Sequence, residues 1–267
     1  MNEIVPVLQV LGTFENGRIE SFLELRCLEP DEIGQPEFQG AIARTLAKFH
    51  GLSRDWKKPT SPLAPFAVTK DWLETAKKLD FSDDEKKMEA FSRMDVDGIV
   101  AEVEEMEKFA ACVDSPVVFS HNDLLSGNIM VSKTYNGVDD IGMTFIDFEY
   151  AEWAPRGFDL GNHFCEYAGF DADYSKYPVD GSQFVKSYLE AWHSEEEIDQ
   201  SAVNRVTKEA NFFALAAHLY WVAWALLQAK WSSIDFDYMA YASLRLDEYK
   251  KRKDVFINEF KQALDMT

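Results

Sequence analysis

Three polar side chains at fixed spacing carry the chemistry of this 267-residue chain. Asp123 stands in His-Asn-Asp, Asn128 follows five residues later, and Asp147 opens Asp-Phe-Glu. The order is H-x-D-x-x-x-x-N and then D-F-x, the spacing of a catalytic loop and a metal-binding loop for phosphoryl transfer. That reaction needs an acceptor hydroxyl held in line and divalent metal to offset charge on the phosphates. Asp123 is suited to take the hydroxyl proton, with Asn128 beside it in the catalytic loop. Asn128 and Asp147 offer a neutral and a charged oxygen to Mg²⁺, which prefers hard ligands and uses only one or two carboxylates. Gly127 is expected to let the loop turn tightly. A turn that merely bonds its own backbone is the competing structural reading. Two motifs in the right order, each after an apolar β-rich run at 117–119 and 143–146, weigh against it.

Other elements must hold these loops. Residues 4–26 read as two strands about the Asn16-Gly17 turn, with Val5, Val7 and Val10 in the first. A hairpin is marginal alone and has to lean on something else. Phe38, Ile42, Leu46 and Phe49 fall on one face of a helix over 36–50, with Pro36 in its first turn and Gly51 at its stop. Residues 53–66 read as a loop. Short helices are expected over 71–79 and 84–91, and a longer one over 95–112 with Val96, Val100, Val103 and Met106 on a stripe. A turn at Pro155-Arg156-Gly157 precedes a helix over 158–168. Further helices are expected over 183–192, 195–230 and 238–264, the second with Ser194 as N-cap. Residues 212–229 are long and apolar enough to raise a membrane span. His218 and Gln228 within them favour a buried core helix instead. Trp221 and Trp224 are neighbours on one face of it. That spacing suits ordinary core; a cation over such a face gains about 0.5–2 kcal/mol.

Composition narrows the partners. The net charge is −20, from 47 acidic against 27 basic residues. That argues against a nucleic-acid or anionic-membrane surface, which wants a basic face. It suits a cationic substrate, although solubility alone explains it as well. Cys27, Cys112 and Cys165 are scattered, without metal spacing, and suit a reducing compartment. Glu3 and Pro6 interrupt any signal peptide, so a cytoplasmic location is expected. No repeat, low-complexity run or long linker divides the chain.

Longer motifs add a resemblance. HNDLLSGNIM, FIDFEY, RGFDLGNHFCEYAGF, DYSKYP and FALAAHLYWVAWALLQAKWSSIDFDYMAYASLR together resemble the choline/ethanolamine kinases, closer to their ethanolamine branch. The likeness runs from about Gly12 to Lys253. It implies an α+β, protein-kinase-like fold, with a small β lobe and hinge over 1–27 and a helical large lobe over 28–267. It implies ATP and Mg²⁺ as cofactors and phosphorylation of the amino alcohol ethanolamine, with choline as the alternative. Ser21, Leu23, Leu25, Leu125 and Asp147 would then meet the nucleotide. Glu166, Trp221, Trp224, Phe236 and Tyr241 would hold the ammonium group, a plain salt-bridge role being the alternative for Glu166. Asp159 would bond the catalytic loop, and His163 would be a core residue. The family's Gly-rich loop and phosphate-gripping Lys have no counterpart, since Lys48 is the first lysine and Gly12 the only glycine before the hairpin turn. ATP affinity and turnover are therefore in question. A homodimer, or a catalytically impaired homologue that regulates or dimerises, stays open.

Overall fold

A segment apolar on every side needs cover on every side, and one helix, α7 (Gln200–Trp231), stands at the centre of the helical body. The computed structural model describes residues 9–60, 64–132, 142–178, 180–194 and 197–263. Expectations for Val5, Val7, Glu195 and Leu264 lie outside those residues. Helices α5 (Arg156–Cys165), α8 (Tyr238–Ala263) and α2 (Ala64–Ala76) cover α7. Its most apolar stretch is 89% buried, so the surface that suggested a membrane span is taken up by neighbouring helices. Gly161 makes the approach of α5 possible. A Cβ there would lie 2.3 Å from the Ala210 carbonyl oxygen and 2.5 Å from the Ala214 nitrogen. One ion pair is sealed at the same contact: Arg156 Nη2 donates to Glu209 Oε2 at 2.8 Å.

Around this centre the remaining helices follow their apolar faces. Phe38, Ile42 and Leu46 are buried on α1 (Pro36–Gly51), which packs on α6 (Ser182–Trp192). Asp84 and Asp95 cap α3 (Glu85–Ser92) and α4 (Val96–Ala110) by accepting from Lys87 and Gly98 backbone N–H groups. Such a cap is worth about 1 kcal/mol.

Among the described residues the strands are short and fall in three sheets. A hairpin of β1 (Val10–Phe14) and β2 (Gly17–Glu20) forms as expected, but its two-residue turn is Glu15-Asn16, one residue earlier than Asn16-Gly17, because Gly17 already pairs with Phe14. Its second strand stops at Glu20, and Leu25–Cys27 (β3) instead joins β5 (Ile129–Ser132) and β6 (Met143–Phe145) in the order β3-β5-β6. The run at 117–119 becomes β4 (Val117–Ser120), antiparallel to β7 (Glu152–Pro155).

Other boundaries also differ from the pattern-based ones. Helix α2 starts at Ala64, inside the expected loop. Pro65 is tolerated in a first helical turn, and Phe66, Thr69, Leu73 and Ala76 supply the buried face. The expected turn at 155–157 is the direct junction of β7 and α5, and α5 ends at Cys165, followed by a single 3₁₀ turn, Glu166–Ala168. Asp199, not Ser194, caps α7 by accepting from Ala202 N–H, since the helix begins only at Gln200, while Ser194 takes a left-handed backbone (φ 60°) outside the extended region usual for an N-cap.

Candidate active site

Residues 121–124 leave β4 and are tied at every position. Asp159, in the first turn of α5, accepts from the His121 N–H at 2.7 Å and the Asn122 N–H at 2.9 Å. It also accepts from His50 Nε2 at 2.9 Å, and His50 Nδ1 meets the Tyr188 hydroxyl at 2.8 Å. Asp159 is fully buried, which pushes its carboxyl up; the bonds from His50 and His121 outweigh that and hold it below the usual range. His121 Nε2 donates to the Ile146 carbonyl at 2.9 Å. Asn162 donates to the Asn122 carbonyl at 2.9 Å, and His163 Nδ1 to the Leu124 carbonyl at 2.8 Å. Asp159 and His163 thus take the structural places expected of them.

Two residues bend the loops. Asn122 and Asp147 both have left-handed backbones, φ 64° and 63°. Asn and Asp tolerate that region better than other side chains, and such strain gathers at working sites. Gly127 has no such conformation: among the described residues only Gly142 and Gly169 are glycines with positive φ. A tight turn does run through Gly127, the 3₁₀ turn Ser126–Asn128 closed by the Asn128 N–H donating to the Leu125 carbonyl at 3.0 Å, but it uses no left-handed glycine, and the left-handed bend before Asp123 falls to Asn122.

The loops converge as their spacing predicts. Asn128 Nδ2 donates to Asp123 Oδ2 at 3.0 Å and to the Asp123 carbonyl at 2.8 Å. The Ile146 N–H donates to the Asn128 carbonyl at 3.0 Å, which sets Asp147 next to Asn128. With its amide nitrogen on Asp123, Asn128 has its oxygen left for another group, and the exposed Asp147 lies two residues beyond Phe145, the last paired residue of β6. One amide and one carboxylate oxygen fit Mg²⁺, which takes its remaining ligands from phosphate and water. Among the described residues no three His, Cys, Asp or Glu side chains form a metal cluster.

Asp123 also lines a cavity of about 410 Å³, together with Leu125, Glu166, Trp221, Trp224, Phe236 and Tyr241. Every residue expected at the amine end is therefore brought to one space. Trp221 and Trp224 meet edge to face at 5.3 Å, each anchored by its indole N–H: Trp221 donates to Asn162 Oδ1 and Trp224 to the Tyr150 hydroxyl. Glu166 both lines the cavity and pairs with Arg245 Nη2 at 2.8 Å, so the two alternatives for it are compatible. Burial pushes the Asp123 carboxyl up to about 8, and the charges of Glu166, Asp147 and Glu149 act in the same direction. Burial pushes the Cys165 thiol up to about 12, which leaves it inert.

Ser21, Leu23 and Leu25 do not line this cavity. The Ser21 hydroxyl accepts from Gln9 N–H, Leu23 is half-buried between β2 and β3, and Leu25 pairs with Ser132. Strand β3 does touch the 3₁₀ turn Ser126–Asn128, just after Leu125. Glu149, Tyr150, Tyr174, Asp235 and Arg245 also line the cavity and were not foreseen. Glu149 and Tyr150 sit within the motif that flagged Asp147. Arg245 is four residues after Tyr241, one helical turn away, and that spacing could have found it.

The sequence model of choline/ethanolamine kinase matches residues 3–250. The chain belongs to the choline/ethanolamine kinase family. A probable ethanolamine kinase of Arabidopsis thaliana is 40% identical over 92% of this chain, which spans 63% of that relative's length. Probable ethanolamine kinase A of Dictyostelium discoideum is 39% identical, again over 92% of the chain and 68% of the relative. Choline kinases are also relatives, at lower identity. The ethanolamine kinase of Plasmodium vivax superposes with a TM-score of 0.78 at 29% identity, covering 95% of this chain and 70% of that one. The kinase family's α+β, protein-kinase-like architecture is thus the one expected.

Proposed function

We propose that this chain phosphorylates ethanolamine with ATP, giving phosphoethanolamine and ADP. The observation that carries the reading is the placement of Asp123. It lies on a loop tied at every residue, bonded to Asn128 on one side and open on the other to a cavity walled by indoles and carboxylates. A primary ammonium suits that wall, because it keeps both a charge for Glu166 and the aromatic faces and N–H donors for carboxylate oxygens. Anchored there, a two-carbon amino alcohol turns its hydroxyl toward Asp123. Asp123 takes the hydroxyl proton as the oxygen forms its bond to the γ-phosphorus and the bond to ADP breaks. Asn128 orients the Asp123 carboxylate through its amide N–H. Asn128 and Asp147 would hold magnesium, which when bound offsets the phosphate charge. Ser21, Leu23, Leu25 and Leu125 would border the nucleotide. ATP, magnesium and three free cysteines all fit a cytoplasmic setting.

Phosphorus NMR of the chain with Mg-ATP and ethanolamine tests this. The expected result is a growing phosphoethanolamine resonance, with the rate reduced about 10²–10⁴-fold in Asp123→Asn. Equal rates in the two proteins would remove Asp123 from the mechanism. No product from the unmodified chain would withdraw the activity.

The density of aromatic faces supports choline as a second substrate, since a quaternary ammonium binds through such faces without hydrogen bonds. Competition between the two amines, read as kcat/KM, decides the order.

A further inference from the structure

One guanidinium behind the cavity has no part in the chemistry above. Arg245, on α8, is only 3% exposed yet lines the cavity. Its Nη2 donates to Glu166 Oε1 at 2.8 Å and its Nε to the Tyr241 hydroxyl at 2.9 Å. The guanidinium carbon lies 5.2 Å from the Tyr241 ring centre and 5.8 Å from that of Tyr174. Nη1 is buried with no hydrogen-bond partner among the described residues. Arginine holds two acceptors in a fixed planar fork, which lysine cannot reproduce. One tooth of this fork holds a carboxylate of the cavity wall and the other an aromatic of the same wall.

We propose that Arg245 is a specificity-determining positioning residue: its fork fixes Glu166 so that a single carboxylate oxygen is aimed at the ligand, favouring a primary over a quaternary ammonium. Glu166 Oε1 is taken by Arg245, whereas Oε2 has no partner among the described residues. A primary ammonium can place an N–H on that fixed oxygen. A quaternary ammonium has no N–H and feels only charge and aromatic faces. Removing the fork alters the local charge for both amines alike but removes direction for only one. The ratio of the two affinities therefore isolates the effect. The inference rests on the reading of this cavity as an amino-alcohol site.

Calorimetric titration of the chain with ethanolamine and with choline tests it, using wild type, Arg245→Met, Arg245→Lys and Tyr241→Phe. The ethanolamine-to-choline affinity ratio should fall about tenfold in Arg245→Met, the size of one directed hydrogen bond. In Arg245→Lys it should stay low although the charge is kept. In Tyr241→Phe, which keeps the ring and loses one tooth of the fork, it should fall by a smaller factor. A ratio within twofold of wild type in folded Arg245→Met, or full recovery with lysine, would overturn the proposal. If Arg245→Met fails to fold, an unmoved ratio in both other variants overturns it. Binding of neither amine by wild type would overturn this and the proposed function together, whereas normal binding with an unmoved ratio would overturn this alone.

Discussion

In the chain free of metal and substrate, burial holds the Asp123 carboxyl up at about 8, while an aspartate in an unfolded chain loses its proton near about 4; magnesium at Asn128 and Asp147 would favour the carboxylate form that takes the hydroxyl proton. Between those values the unfolded chain binds fewer protons than the folded one, so stability falls as pH rises through the window. Asp123→Asn removes that dependence. Thermal melts of the metal-free variant should match wild type near pH 4 and exceed it increasingly toward pH 8, while turnover is lost. A variant no more stable than wild type at pH 8 would show that the carboxyl is ionised in the free protein. The opposite behaviour is expected at Asp159, whose oxygens accept three bonds from His50, His121 and Asn122. An amide there sets its own N–H groups against donors, and each buried group left unsatisfied costs about 1–3 kcal/mol. Asp159→Asn should therefore lower the denaturant midpoint and reduce turnover together.

Among the elements, the contact of α5 with α7 sets the tightest limit. Gly161 lies against the α7 backbone, where a methyl group would meet main-chain atoms that cannot swing aside. Gly161→Ala should lose about 1–3 kcal/mol or more in chemical denaturation. An unchanged midpoint would mean that α5 can move off α7 freely. This contact also marks what could be read in advance. Helices with a clear apolar stripe, such as α1 with Phe38, Ile42 and Leu46, were legible because period and burial agree. The Asp123, Asn128 and Asp147 loops were legible because their chemistry demands fixed spacing. Strands β5 and β7 were not, being four residues long and embedded in motifs read for their polar residues. The start of α2 was hidden by Pro65, which signals a break and here sits in a first turn. Arg245 escaped because, although its spacing from Tyr241 was readable, its bond to Glu166, on a distant part of the chain, is created only by the packing of α8.

At the scale of the whole molecule, burial is distributed unevenly. The helical body encloses the cavity, and α7 runs under it from Glu209, paired with Arg156, to Trp224 at the wall. The β1–β2 hairpin is different: Val10, Leu11, Phe14, Ile19 and the following Phe22 are all more than half exposed. Its hydrogen bonds are those of a two-stranded ribbon, which is marginal in water. The two regions should therefore open with very different free energies. In native-state hydrogen exchange, the hairpin amides should exchange in the earliest time points. The amides of His121 and Asn122, held by Asp159, should exchange only with global unfolding. Equal protection in both places would contradict the difference.

The triple acceptor at Asp159 has one more consequence. His50 belongs to α1 and Tyr188 to α6, so the peptide that presents Asp123 is moored to two helices that contribute no residue to the cavity wall. Mutations arising far from the cavity, on the α1–α6 seam, should therefore surface as slow catalysts with ordinary substrate affinity.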